Sequence, residues 1–184
     1  MGNTTPAAAC IMAMLETRDT SLVGRGGGLT DEALETKKRV IVEALNRHRP
    51  NPKDAVEVLS CVGGLDIAAM AGVFLGGAAC RTPVVVDGVI SIAAALLAAR
   101  VAPLAKDFLF ASHRSAEPAY AAAAEALGFH PMMTLGMRLG EGTGCPIAMQ
   151  IVDDALTLMN EMGSCEEAAM ESEYREELKH DDRP

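Results

Sequence analysis

At 184 residues and 49% apolar content, the chain is long enough for one ordinary globular domain with a sizeable core. Aromatics are only 3% and tryptophan is absent, so Ala, Val, Leu, Ile and 11 methionines must fill that core, which favours closely packed helices. The formal charge is −9; residues 166–184 alone carry eight acidic and three basic side chains, and the Arg and Lys elsewhere are not interleaved with aromatics, which excludes a nucleic-acid surface.

In chain order, Gly2-Asn3-Thr4-Thr5 precedes an alanine-rich helical run and reads as an anion cradle or a helix cap. Gly24-Arg25-Gly26-Gly27-Gly28 reads as an anion-binding loop or a surface turn, and it satisfies neither G-x-x-x-x-G-K-[ST] nor G-x-G-x-x-G. Thr30 then caps a helix with Asp31 and Glu32 in its first turn and an apolar face through Leu34, Ile41 and Leu45. Asn51-Pro52 opens a short helix ending near Gly63-Gly64. Residues 65–79 form an Ala- and Gly-rich helix, in which Gly72 and Gly76 are expected to admit a close core neighbour.

The next part of the chain repeats one grammar three times: an apolar run, a loop of Gly and polar residues, then a helix. The runs are 83–86, 107–111 and 132–137, and the helices that follow span about 89–101, 116–127 and 146–160. Strand, loop and helix in alternation predict an α/β fold, a parallel sheet with flanking helices in a Rossmann-like three-layer arrangement. Ligands of such sheets sit beyond the carboxyl ends of the strands, where Asp87-Gly88, the 112–115 loop and the 138–144 loop all fall. The last of these, Arg-Leu-Gly-Glu-Gly-Thr-Gly, is the expected functional centre.

Two readings of Glu141 stand: a general acid or base that its flanking glycines bring close to a ligand, or a solvated carboxylate favouring the helix after it. The 112–118 stretch, SHRSAEP, reads either as ribose or phosphate recognition or as a capped helix start. No G-x-S-x-G elbow is present, and His48, His113, His130 and His180 lack metal-ligand spacing, so no metal is expected. Five cysteines without a C-x-x-C pair point to a reduced, cytoplasmic setting. The most apolar stretch, 83–102, is broken by Asp87, Gly88 and Arg100 and predicts a buried strand and helix; no membrane association is expected. Residues 1–162 are expected to form the α/β domain, and 163–184 a charged helix or tail.

Taken together, GNTT (2–5), GRGGGL (24–29), GGLDIAAMAG (63–72), VVVDG (84–88), ASHRSAEP (111–118) and RLGEGTG (138–144) resemble one family in order and spacing. That family is the nicotinate-nucleotide:dimethylbenzimidazole phosphoribosyltransferases of cobalamin nucleotide-loop synthesis. The resemblance implies a pentosyltransferase that moves phosphoribose from nicotinate mononucleotide to 5,6-dimethylbenzimidazole, giving α-ribazole 5′-phosphate and nicotinate, with no cofactor.

It further implies that Glu141 is the catalytic base. Gly2, Lys37 and Gly88 resemble phosphate contacts, Ser115 a ribose contact, and Leu139 and Gly140 residues bordering the acceptor base. A homodimer is implied as well. The family pattern carries G-E-M-G-I ahead of GNTT, so residues 1–184 are expected to correspond to the C-terminal half, without the N-terminal part of the fold, either beside a separately encoded N-terminal half or because the start codon was placed too late. The alternative is a noncatalytic nucleotide-binding or dimerisation fragment. Gly27 stands where the family has Thr.

Overall fold

A computed structural model describes residues 2–164 and 167–168. The expected charged helix or tail at 163–184 therefore lies almost wholly outside the described residues. The chain divides into two compact units, Met1–Met149 and Gln150–Pro184.

In the first unit, helix α1 (Thr4–Met14) is buried along Ala7–Met14, and its sequence TTPAAACIMAM has no polar stripe. Such a helix is stable only when surrounded, and it packs against α2 (Asp31–His48), α3 (Ala55–Val62) and α5 (Val89–Val101). Helix α2 has the opposite character. The Thr30 hydroxyl caps Ala33 N–H at 3.3 Å, acids open the helix, Arg47 and His48 close it, and Ile41 and Leu45 bury one face. Helix α3 begins where Asp54 Oδ1 accepts from the amides of Val56 and Glu57, both at 3.0 Å. Helix α4 spans Leu65–Ala79, as the sequence predicts.

Strands β1 (Val84–Val86) and β2 (Leu109–Ala111) pair in parallel, with Val84 opposite Leu109 and Val86 opposite Ala111. Between them runs α5, buried along most of its length; after β2 comes α6 (Pro118–Leu127), which starts on a proline and stops at Gly128 in the left-handed region, φ 71°. Helix α7 spans Gly144–Glu161, starting two residues before the expected Pro146. Among the described residues no helix is long and apolar enough to cross a membrane.

Three local expectations are corrected. The third strand, 132–137, is reduced to a single parallel bridge between His113 and Met133, with Met132 N–H to Ala111 O at 3.2 Å and Met133 N–H to Ser112 O at 3.1 Å. Pro131 has no amide to extend the ladder, and Gly136 at φ 65° turns the chain away. The close approach expected at Gly72 and Gly76 occurs at Gly77, where an added Cβ would overlap Val84; nothing lies within 4 Å of such an atom at either of the other two. Asp107 and Phe108, read as strand, belong to a 3-10 turn, Pro103–Phe108, that leads into β2.

Candidate functional site

The 140–144 loop follows from three consecutive residues with positive φ: Gly140 at 73°, Glu141 at 56° and Gly142 at 75°. The flanking glycines adopt this region freely, but Glu141 does so at a cost, so its conformation must be imposed from outside. The Glu141 side chain is left exposed by this turn. Thr143 closes the turn, donating its N–H at 3.0 Å and its hydroxyl at 2.8 Å to Gly140 O.

Asp87, at the carboxyl end of β1, ties this loop to the sheet. Its Oδ2 accepts from Gly142 N–H at 3.0 Å and its Oδ1 from Gly144 N–H at 2.9 Å, while the residue is only 7% exposed. Beside it, the Ser112 hydroxyl donates to Val86 O at 2.8 Å, so its oxygen is left to accept from His113 Nδ1–H at 3.0 Å. His113 Nδ1 also lies 3.6 Å from Asp87 Oδ1, and the imidazole stacks over Tyr120 at a centroid distance of 6.4 Å. Burial, and secondly the Asp87 charge, pushes the Tyr120 phenol up to about 12, and the same two causes raise the Cys145 thiol. An added Cβ at Gly144 would overlap His113, Ser112 and Asp87, so only glycine lets this polar group pack against the loop.

A second grouping forms around Lys37, which is 6% exposed and donates to Thr4 Oγ1 and Gly24 O, both at 2.9 Å. Among the described residues these two acceptors serve its three N–H donors. Burial lowers its pKa, and the nearby Glu117 carboxylate opposes that shift more weakly. Glu117 Oε1 accepts from Gly26 N–H at 2.8 Å, and its own amide donates to Ser115 Oγ at 3.3 Å. Glu117 thus links the 24–28 loop to the 112–118 loop. Asn3 Nδ2 donates to Asp66 Oδ2 at 2.9 Å and holds that carboxyl below its usual range, joining GNTT to the start of α4.

The structure accordingly sorts the residues singled out in the sequence. Gly88, Gly140 and Glu141 come together at the end of β1, where an added Cβ on Gly88 would lie 3.9 Å from the Gly140 Cα. Glu117 bonds Ser115 and the Gly26 amide, and its charge acts on Lys37 without a direct bond to it. Gly2 is exposed at φ 91°, and Leu139 is 73% exposed. Sequence reasoning passed over Asp87 and Glu117 as working residues. The signal for Asp87 was an acid directly after an apolar VVV run, where the carboxyl end of a buried parallel strand opens.

A strand-end carboxylate gripping a glycine loop, and a buried lysine beside a second such loop, are two polar groupings set on an α/β scaffold. A family model described as Phosphoribosyltransferase matches residues 1–170. A nicotinate-nucleotide–dimethylbenzimidazole phosphoribosyltransferase of Clostridium perfringens is 46% identical over 182 residues, which is 99% of this chain and 50% of that protein. One of the same name from Acetivibrio thermocellus is 46% identical over 171 residues, 93% of this chain and 49% of that protein. The crystal structure of CobT from Thermus thermophilus superposes with a TM-score of 0.87 at 39% identity, covering 94% of this chain and 51% of that one. The chain belongs to the nicotinate-nucleotide–dimethylbenzimidazole phosphoribosyltransferase family. It spans about half the length of the curated relatives it matches.

Proposed function

We propose that the chain takes part in transferring the phosphoribosyl group of nicotinate mononucleotide to 5,6-dimethylbenzimidazole, forming α-ribazole 5′-phosphate and nicotinate, within cobalamin nucleotide-loop synthesis. Glu141 is the base. One benzimidazole nitrogen forms the new bond to the ribose anomeric carbon while the bond to nicotinate breaks, its electron pair leaving on the pyridine nitrogen. The proton on the other benzimidazole nitrogen passes to the Glu141 carboxylate, which relieves the positive charge that bond formation creates.

The observation that carries this reading is the turn at 140–142, which exposes Glu141 in a strained backbone conformation pinned to the end of β1. Lys37 and Gly2 serve the phosphate together with Gly88, Ser115 the ribose, and Leu139 and Gly140 the acceptor base. A cytoplasmic homodimer completes the proposal. The second reading is a noncatalytic nucleotide-binding or dimerising protein.

Separation of α-ribazole phosphate by chromatography decides between them. The 184-residue chain is expected to bind nicotinate mononucleotide and turn it over slowly, with full rate requiring a polypeptide that supplies the remainder of the relatives' length. Glu141→Gln should lower turnover by roughly 100-fold or more while nucleotide binding survives. An unchanged rate in that variant removes Glu141 from the chemistry, and binding without any turnover supports the second reading.

A further inference from the structure

We propose that Asp87 is the positioning residue for Glu141, fixing the conformation from which the carboxylate acts; this rests on the reading of Glu141 as the base. Glu141 sits at φ 56°, in a region that its own covalent structure disfavours. The loop's local bonds, Thr143 to Gly140 O and Cys145 N–H to Gly142 O at 3.0 Å, close the turn and join it to the start of α7; what they lack is an attachment of the turn to the end of β1. That attachment comes from Asp87, whose two oxygens are divided between the amides of Gly142 and Gly144, the first of them the residue directly after Glu141.

Both hydrogen bonds are charge-assisted, and the carboxylate that accepts them is largely withdrawn from water, which makes each stronger than an exposed neutral pair. Asp87 is itself anchored, since it follows β1 directly and lies against His113 and Ser112. The aim of the base is thereby referred to the sheet rather than to a free loop. A carboxylate that merely capped α7 would need only the amide of Gly144. The second grip, on Gly142, bears on the turn that presents Glu141.

Amide hydrogen exchange on the 184-residue chain, combined with kinetics, tests this. In the wild-type chain the Gly142 and Gly144 amides should exchange slowly despite lying in a loop. Asp87→Asn replaces one accepting oxygen by a donor group of the same size. It should speed exchange at those two amides by about tenfold or more and leave the α5 amides unchanged. Whatever turnover the chain shows should fall roughly 10- to 100-fold in kcat, with KM for nicotinate mononucleotide moving less than about threefold. Thr143→Val, which removes only the internal hydroxyl bond, should leave both amides protected.

Fast exchange at Gly142 and Gly144 in the wild-type chain overturns the proposal, as does equal loosening by Thr143→Val. So does an Asp87→Asn variant that loosens the loop but raises KM as much as it lowers kcat. If Asp87→Asn fails to fold, the wild-type exchange and Thr143→Val still decide. Glu141→Gln should lower turnover by roughly 100-fold or more with exchange untouched; a neutral Glu141→Gln sinks the catalytic reading while the exchange data stand on their own.

Discussion

The 140–144 loop and the 24–28 loop are both rich in glycine and both touch a carboxylate, yet they are held in different ways. In the first, one buried acid grips two amides and the residue between the glycines is forced to positive φ. In the second, Glu117 takes only Gly26 N–H, buried Lys37 holds Gly24 O, and the rest of the loop ties itself: Gly28 and Leu29 amides bond Arg25 O, while the Arg25 guanidinium reaches Leu29 O and pairs with Asp31. A loop that must aim one side chain is referred to the sheet. A loop that frames a buried lysine is held by that lysine and by its own turn, because a charge acts without an aimed side chain.

The largest expected consequence of this difference is at Gly144. A Gly144→Ala substitution drives a methyl group into Ser112, His113 and Asp87 and should destabilise the chain by about 3 kcal/mol, read as a fall in the urea midpoint. No comparable obstruction exists at Gly27, where nothing lies within 4 Å of an added Cβ, so Gly27→Ala should cost little. Equal costs at the two positions would dissolve the comparison.

A smaller effect is expected at Glu117. Glu117→Ala leaves Gly26 N–H without its partner and removes the negative charge that acts on Lys37, for about 1 kcal/mol of stability. Exchange should accelerate at Gly26 and stay unchanged at Gly142 and Gly144. Faster exchange at all three would mean that the two loops form one cooperative element rather than two.

Much of this arrangement was legible in the sequence because the signals were local. Thr30 with Asp31 and Glu32 marked the start of α2, and the Ala and Leu run after Gly88 marked α5. What escaped was decided by distant parts of the chain. Whether 132–137 completes a strand depends on Pro131 and Gly136 and on what lies beside β2, none of which its apolar pattern records. Gly77 rather than Gly72 or Gly76 meets a neighbour because Val84 returns against α4, a contact between segments that sequence spacing does not encode. Glu141 was singled out by its glycines and by resemblance, and the structure places it in an exposed turn at the end of β1. Asp87 acts across 55 residues, and its role appears only when β1 and the loop are seen together.

The smallest effect concerns Lys37 and the pH. Burial is the larger influence on this lysine and lowers its pKa beneath the ordinary 10.5; the Glu117 carboxylate pulls the other way. In the window between the lowered value and 10.5 the unfolded chain still holds a proton that the folded chain has released, so raising the pH through it stabilises the fold. Below that window the folded chain bears the cost of a buried ammonium. Urea midpoints of the wild-type chain and of Lys37→Met, compared from about pH 8 to 11, should therefore converge or cross in favour of the wild type as the pH rises. The Glu117→Ala background should move that change to lower pH, because it removes the charge that resists the shift. If the difference between wild type and Lys37→Met is flat across the range, Lys37 is effectively solvated. The second loop then frames no buried charge, and the contrast with the first rests on geometry alone.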